Sequence, residues 1–445
     1  MIVLLALGGL GLLLLSGLLL WLGIPLLRRL ALPVPLVGGF VGVAAGPFGL
    51  DLVPRDIFAI WTALPSILIN FVFAGLFLGV MVPSFGTIAR LGGPLVRFTV
   101  VGALGQYIVG LLLTGLVLGP LFGTPALFAC LLEVGFSGGH GTAGAMTSVF
   151  ASLGFPAGGP LGQMSATVGI ITSVVGGVAL IQYGVRRGFT SVGADLDGGV
   201  PSGGAGLVPP AARRPIAMGT ITGDVLEPLT LHLAIVSLAA LVGWVILLGV
   251  RAIHPSLDGF PLFPLAMIGG MLIQATADRL GAATYFDRAT FQRITGLCLD
   301  LLVTAAIASM QLDLFLQNVV PFTLLMLAGI IWCVVSFLLL APRMLREDWF
   351  EQGIVVYGTL TGVAAVGLML LRIVDPDNRT TAAQAFAARS MITSPLLGGG
   401  LVTATMPLLL VQFGLWPMLA AVTATTLLVY FWPGRRPWPL RRESG

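Results

Sequence analysis

The sequence predicts an all-α polytopic membrane protein with two inverted repeats, each of five spans plus one re-entrant segment, and an extra C-terminal span. Three observations predict this class. Of the 445 residues, 57% are hydrophobic and only 9% are charged. Apolar runs of about 20 residues, the length that crosses the hydrocarbon core of a bilayer, recur from end to end. Two of these runs are broken by glycine and polar residues at corresponding places in the two halves.

The apolar segments fall into two groups on either side of a linker. In the first group they cover residues 2–27, 32–50, 59–83, 95–118 and 161–183, with the broken segment at 120–150. In the second group they cover 229–250, 262–277, 295–312, 318–341 and 388–411, with the broken segment at 353–371. A last run covers 415–432. We therefore divide the chain into a first repeat (1–183), a cytoplasmic linker of Gly, Pro and charge (184–228), a second repeat (229–411) and a C-terminal span with a basic tail (412–445).

Short motifs recur in the two halves in the same order. The stretch from Pro33 to Gly39 (PVPLVGG) is echoed from Pro264 to Gly270 (PLAMIGG). The stretch from Ile171 to Gly177 (ITSVVGG) is echoed by ITSPLLGG from Ile392. Between these anchors each half carries its broken segment, and this common order predicts an internal repeat.

The arginines predict the topology. All 22 basic residues are arginine, and most lie in short loops. If the N-terminus is outside and both broken segments return to the side they entered, only Arg55 and Arg251 lie outside and the other 20 of the 22 lie inside. If both broken segments crossed, the split would be 12 against 10 of those 22. The positive-inside rule favours the re-entrant arrangement, and five crossings per half invert the second repeat relative to the first.

The first broken segment concentrates the polar chemistry. Between Glu133 and Met146, five of fourteen residues are glycine, and the stretch also carries Ser137, His140 and Thr142. Glycine frees backbone groups from helical pairing, and broken segments of this kind form substrate and ion sites in transporters. The alternative is a small-residue interface between closely packed helices, which requires neither Glu133 nor His140.

The hexapeptide from Ser137 to Thr142 (SGGHGT) resembles the signature of the bacterial sodium/glutamate symporter family. The stretch from Leu32 to Gly39 is similar to that family's proline-glycine sequence in the second span, and a loose similarity extends over about residues 1–411. The resemblance implies sodium-driven transport of an anionic amino acid, with substrate and ion held jointly by the two loops. The second loop departs from the family pattern, because Gly358-Thr359-Leu360-Thr361-Gly362 lacks a histidine and a Thr-Pro-Thr run.

Candidate site residues follow from these motifs. We expect the substrate to contact Ser137, Gly138, Gly139, His140, Gly141, Thr142, Thr359, Thr361, Gly362 and Arg372. Glu133 and Asp300 are candidates for ion coupling. For each side chain a structural role is also open: a core position for His140, back-bonding to the preceding turn for the hydroxyls, and an arginine partner for Glu133. Arg372 could pair with Asp375 at the cytoplasmic face, and Asp300 could be an acid near a helix end, about 8 Å deep.

We therefore predict a secondary transporter that imports glutamate or a similar anionic amino acid with sodium by alternating access. The alternative is proton-coupled transport of another small carboxylate. A hydrolase would need Ser137 and His140 as nucleophile and base, and their spacing without an acid motif argues against an enzyme. A channel fits inverted broken segments less well than alternating access.

Composition limits the remaining partners. We expect no nucleic-acid partner and no cofactor apart from sodium as the coupling ion, and the metal ligands are left unassigned. Cys130, Cys298 and Cys333 lie in apolar stretches without metal-ligand spacing. The apolar start lacks basic residues and a cleavage pattern, so we expect a retained first span. We place the protein in the inner (cytoplasmic) membrane as a multi-pass protein with its C-terminus in the cytoplasm, and a homodimer is compatible with such a fold.

Overall fold

Helices form all the regular structure in the part of the chain that the computed structural model describes. These residues are 1–29, 32–47, 49–80, 85–190, 218–253, 260–310, 312–345, 348–376 and 379–432. Within them, eight helices are long and apolar enough to cross a membrane: Ile2–Gly23, Arg55–Gly75, Gly92–Phe122, Gly158–Arg187, Pro228–Ile253, Arg288–Ala308, Val319–Met344 and Trp349–Val374. The prediction of an all-α polytopic membrane protein is confirmed to this extent. Most of the predicted linker and the basic tail lie outside the described residues.

The described residues of the first half form nine α-helices. They are α1 (Ile2–Gly23), α2 (Pro25–Arg29), α3 (Val34–Ala45), α4 (Arg55–Gly75), α5 (Phe85–Leu113), α6 (Gly119–Phe122), α7 (Leu131–Gly135), α8 (Gly139–Ser152) and α9 (Gly158–Arg187). A π-helical turn at Thr114–Leu118 joins α5 to α6, and a 3-10 turn at Ala126–Cys130 leads into α7. Pro120 lies two residues after the π turn, and a proline without an N–H is a common cause of such irregular turns.

The described part of the second half contains ten α-helices. They are α10 (Pro228–Ile253), α11 (Phe263–Leu280), α12 (Arg288–Ala308), α13 (Leu312–Leu316), α14 (Val319–Val335), α15 (Ala341–Met344), α16 (Trp349–Val374), α17 (Ala382–Thr393), α18 (Leu401–Phe413) and α19 (Leu415–Phe431). A π turn at Ser336–Leu340 joins α14 to α15 and is again followed by a proline, Pro342. The side chain of Asp287 caps α12, because its carboxylate accepts from the Thr290 amide at 2.8 Å.

Close backbone contacts at glycine hold the short helices α3 and α11 in place. Helix α3 packs on α1 and α12, and α11 packs on α10 and α4. A Cβ on Gly38 would lie 2.5 Å from the carbonyl oxygen of Leu13 in α1. A Cβ on Gly269 would likewise overlap the carbonyl of Ala239 in α10. The PVPLVGG and PLAMIGG motifs therefore end in glycine because a neighbouring helix occupies the space of a side chain.

Two helical hairpins pack along the two halves of α9. The 3-10 turn, α7 and α8 form the first hairpin, whose open ends meet where Phe128 and Phe155 stack at 6.0 Å between ring centroids. The Ser165 hydroxyl in the first half of α9 donates to Leu131 O at 2.8 Å. The second hairpin is α16, which is interrupted at Gly362 and Val363 so that Gly358 and Gly367 lie against each other. Ser173, farther along α9, donates to Gly358 O at 3.0 Å. The hairpin tips therefore meet near the middle of α9.

The predicted continuous segment 388–411 is broken, which corrects the sequence analysis. Helix α17 ends at Thr393 and α18 begins at Leu401. Gly398 and Gly399 between them have φ angles of 63° and 102°, a region in which side-chain-bearing residues are strained. Pro395 also removes a backbone donor at the start of the break. The chain thus has a third irregular segment beside the two hairpin tips.

Gly38→Ala should destabilise the protein by about 1–3 kcal/mol, because the added methyl meets backbone, which yields little. Thermal unfolding of purified protein in detergent would measure the effect. Gly11→Ala in α1 is the matched control, since no atom lies within 4 Å of a Cβ there. The control should be neutral or slightly stabilising, because alanine favours a helix over glycine by about 0.5–1 kcal/mol. Equal melting temperatures for the two variants would contradict the packing argument.

Candidate functional site

A cavity of about 350 Å³ lies where the two hairpin tips meet α4, α12 and α17. Its volume is in the range of small-molecule sites. Much of its wall is apolar, including Ile69, Phe73 and Val303. The polar residues and glycines that line it are Thr99, Ser137, Gly138, His140, Gly141, Thr142, Asp300, Thr359, Arg389, Ser390, Thr393, Ser394 and Gly398. The cavity therefore gathers most of the residues that the sequence analysis singled out.

The first tip is a short turn rather than an open loop over the whole motif. Helix α7 ends at Gly135 and α8 begins at Gly139, whose φ of 68° requires glycine or strain. Gly141 and Thr142 are therefore helical, which corrects the expectation of freed carbonyls around Gly141.

The second tip is an interruption within α16. The helix runs through Thr361, and Gly362 and Val363 depart from helical geometry. Val363 has φ 67° and ψ 167°, a conformation that costs a β-branched residue about 1–3 kcal/mol. A Cβ on Gly139 would overlap the Val363 side chain, so the two tips are in direct contact. Of the predicted residues in this segment, Thr359 lines the cavity, whereas Thr361 is fully buried and donates to Tyr357 O at 2.7 Å.

Gln106 in α5 joins the two tips. Its amide nitrogen donates to Leu360 O at 2.7 Å, beside the second tip. Its amide oxygen accepts from the Ser137 hydroxyl at 3.1 Å, in the first tip. Sequence analysis missed Gln106, although a glutamine in an apolar span is a signal of buried hydrogen bonding.

Arg389 is the buried cation of the cavity, and the sequence analysis had counted it only as a cytoplasmic arginine. Its exposed fraction is 4%. It donates to the hydroxyls of Thr393 at 3.2 Å and Thr359 at 3.5 Å, and its guanidinium lies 4.5 Å from the Phe386 ring centroid. Its Nε has no hydrogen-bond partner in the described residues, and no carboxylate there contacts the side chain. A buried guanidinium with unused donors is suited to a planar anion.

Arg372 is not brought to the cavity. It lies in the last turn of α16 with an exposed side chain. Asp375 does not contact it either; the Asp375 carboxylate accepts from the Arg379 and Thr380 amides and from the Thr380 hydroxyl. Burial raises the pKa of Asp375, but these hydrogen bonds outweigh burial and leave the pKa below its usual value. Arg372 therefore contacts neither the cavity nor Asp375, the two partners that the sequence left open for it.

His140 lines the cavity. Its Nε2 lies 3.1 Å from the Thr167 hydroxyl, which itself donates to Gln163 O at 3.0 Å. Because a hydroxyl has one hydrogen, Nε2 donates to Thr167 when Thr167 donates to Gln163. Ser137 and His140 do not hydrogen-bond each other; the Ser137 hydroxyl donates to Gln106 instead.

Glu133 lies behind the cavity wall and ties three elements together. The side chain is fully buried. It accepts hydrogen bonds from Tyr107 in α5 at 2.7 Å, from the Gly398 amide at 2.8 Å and from Thr403 in α18 at 2.9 Å. No arginine contacts it in the described residues, which removes the structural alternative of an arginine partner. Glu133 thus fixes the break between α17 and α18 against the first hairpin.

Further oxygen atoms lie close to the break between α17 and α18 to which Glu133 is bonded. The Ser137 carbonyl lies close to Gly398, and the Thr142 hydroxyl lies close to Gly399. A buried carboxylate with carbonyl and hydroxyl oxygens is the donor set that hard cations prefer. The described residues contain no group of three or more His, Cys, Asp or Glu side chains placed for a metal ion.

Asp300 faces the cavity from the middle of α12. The predicted span began at residue 295, but α12 begins at Arg288. Asp300 is therefore about 18 Å along the helix at 1.5 Å per residue, which corrects the expectation of an acid near the helix end. Its carboxylate makes no hydrogen bond within the described ranges.

In a comparison with known proteins, no protein-family model and no curated protein matches the chain.

Glu133→Ala should destabilise the protein strongly. It would leave the donors of Tyr107, Gly398 and Thr403 buried without an acceptor, each at about 1–3 kcal/mol. Thermal unfolding in detergent would measure the loss. Glu133→Gln keeps one carbonyl acceptor and should lose less, and Glu227→Ala, at an exposed site, should change little. A Glu133→Ala protein as stable as the wild type would remove Glu133 from this structural role.

Proposed function

We propose that the protein is a secondary active transporter that moves a small carboxylate across the membrane by alternating access. The observation that carries this proposal is Arg389, a buried guanidinium with unused donors in a cavity between two hairpin tips. An uncompensated charge in this environment is unfavourable, so an anionic substrate stabilises it. Broken helices that meet around such a site are the usual architecture of secondary transporters.

Matching features of the two halves support the inverted-repeat arrangement. Each half has a π turn two residues before a proline, at Thr114–Leu118 and Ser336–Leu340. Gly38 and Gly269 approach the carbonyls of Leu13 and Ala239 in equivalent ways. The two hairpins contact opposite halves of α9 and meet at their tips. Hairpins that enter from opposite faces explain this arrangement and agree with the distribution of arginines.

The substrate that we propose is glutamate or a similar anionic amino acid, as the resemblance of the SGGHGT motif implies. Arg389, rather than Arg372, takes the role of the carboxylate-binding arginine. The hydroxyls of Thr359 and Thr393 accept from Arg389 and donate to Val355 O and Arg389 O, so they hold the guanidinium in the cavity. His140 lines the same cavity.

Sodium is the coupling ion in this proposal. Ser137 O and the Thr142 hydroxyl, which lie close to Gly398 and Gly399, are hard ligands near the glycine whose amide Glu133 accepts. Proton coupling is the second candidate, and Glu133 favours it because a fully buried carboxylate without a cationic partner in the described residues is a potential proton carrier. We assign the protein to the inner membrane with its N-terminus outside, following the positive-inside rule.

Arg389→Lys should raise the apparent Km for labelled L-glutamate about tenfold or more, because lysine keeps the charge but loses the planar fork. Uptake into proteoliposomes with an imposed sodium or proton gradient would measure it. Arg372→Lys is the matched control and should leave Km unchanged, since Arg372 is exposed and outside the cavity.

Equal Km values in the Arg389→Lys and wild-type proteins would remove Arg389 from the substrate site. Uptake that needs a proton gradient and proceeds without sodium would replace sodium coupling by proton coupling. A wild-type protein that accumulates no carboxylate under either gradient would contradict the transport proposal.

Cysteines at the open ends of the two hairpins should react from opposite faces of the membrane. Ser152 at the end of α8 and Thr381 after α16 are both exposed and tolerate the small change to cysteine. In inverted repeats Ser152→Cys reacts from outside and Thr381→Cys from the cytoplasm. Labelling of intact cells and of inside-out vesicles with a membrane-impermeant maleimide distinguishes the faces. Since the three native cysteines are buried, the parent protein serves as the background. Labelling of both positions from one face would contradict the inverted arrangement.

A further inference from the structure

We propose that the cavity recognises its substrate as an α-amino acid zwitterion, with Asp300 binding the ammonium group while Arg389 binds a carboxylate. This inference rests on the proposed function, because it specifies the ligand of the same cavity. It assigns Asp300 to substrate specificity rather than to ion coupling.

Asp300 has an exposed side chain. It lies near the middle of a membrane-spanning helix, twelve residues after Arg288, the first residue of α12. Ionisable groups at such depth are unfavourable unless they face water, a ligand or an opposite charge. The carboxylate lines the cavity, and no described residue donates a hydrogen bond to it. An acid held at the wall of a ligand cavity with all its acceptor capacity free is suited to a cationic group of the ligand.

Asp300 and Arg389 reach the cavity from the sides of different hairpin tips. The side chain of Leu299, the neighbour of Asp300, packs against Gly141 after the first tip. Arg389 contacts Thr359 before the second tip. A ligand between the tips therefore meets a negative group on one side and a positive group on the other.

The charges of the cavity match a zwitterion. Among the described residues that line it, Asp300 carries the carboxylate and Arg389 the guanidinium. A carboxylate without an amine would satisfy Arg389 but place its negative charge beside Asp300. An amine without a carboxylate would leave Arg389 uncompensated. An α-amino acid satisfies both groups, and the apolar wall accommodates its side chain.

Matched pairs of ligands test this inference directly. L-glutamate is compared with glutarate, and L-leucine with 4-methylpentanoate, so that each pair differs only by the amino group. Affinity is measured as ligand-induced thermal stabilisation of the purified full-length protein in detergent, without any gradient. In the wild type, the amino acid of at least one pair should bind about tenfold or more tightly than its deaminated partner, as expected for a charge-assisted hydrogen bond.

Asp300→Asn should reduce that preference by about tenfold or more, chiefly by lowering the affinity for the amino acid and raising the affinity for the deaminated acid. Asp56→Asn, at an exposed site outside the cavity, should leave the preference unchanged. Asp300→Glu, which keeps the charge, should retain a preference for the amine. The melting curve without ligand reports whether each variant is folded, and the wild-type pairs test the proposal even if a variant is not.

Equal affinity of the wild type for both members of each pair would overturn the inference. So would an unchanged preference in Asp300→Asn, or the absence of stabilisation by either amino acid. These outcomes differ from failure of the proposed function. A protein that prefers amino acids but transports none in proteoliposomes would retain the role of Asp300 and lose the transport proposal. A protein that transports glutarate as well as glutamate would retain the transport proposal and lose the role of Asp300.

Discussion

The centre of the protein depends on the hydrogen bonds that the buried carboxylate of Glu133 accepts. The carboxylate accepts from α5, from the break between α17 and α18, and from α18 itself. In a membrane, water is not available to satisfy the amide that glycine-rich irregular backbone leaves unpaired at Gly398. Glu133 satisfies that amide, and it does so from the first hairpin. The break in one half of the chain is therefore stable only when the hairpin of the other half is in place.

Hydrogen bonds and a side-chain contact also join the two hairpin tips. Gln106 connects Ser137 in one tip with Leu360 beside the other, and Val363 packs against Gly139. The strained backbone of Val363 persists because its neighbours determine its position, as expected for strain at functional sites. Substrate at this place would contact both hairpins at once. Opening either tip then requires that shared contacts be broken, and in the transporter that we propose this couples the two tips.

Glycine density and the arginine distribution predict much of this architecture, because both reflect how a chain must behave in a membrane. They predict broken segments at 120–150 and 353–371, and interruptions occur at Gly139 and at Gly362–Val363. They do not predict the break at 394–400. Its motif, ITSPLLGG, resembles the ITSVVGG of Ile171–Gly177, which is helical within α9, but it has Pro395 in place of Val174 and one more residue before the two glycines. The proline, which lacks an N–H, and the positive φ of Gly398 and Gly399 are incompatible with a continuous helix there.

The site chemistry was harder to predict than the broken helices because burial depends on packing that the sequence does not display. Arg389 and Arg372 are both single arginines in apolar sequence, yet Arg389 is buried against Phe386 and Arg372 is exposed. In the proposed repeat, aligning Ile171 with Ile392 places Arg389 opposite Val168, and aligning Pro33 with Pro264 places Asp300 opposite Ile69. Both charged lining residues thus come from the second half, whereas His140 and Glu133 come from the first. A symmetric scaffold can move its two halves alike, but only an asymmetric set of side chains can hold one substrate in one orientation. The substrate site that we propose meets that requirement, because both of its charged lining residues come from the second half.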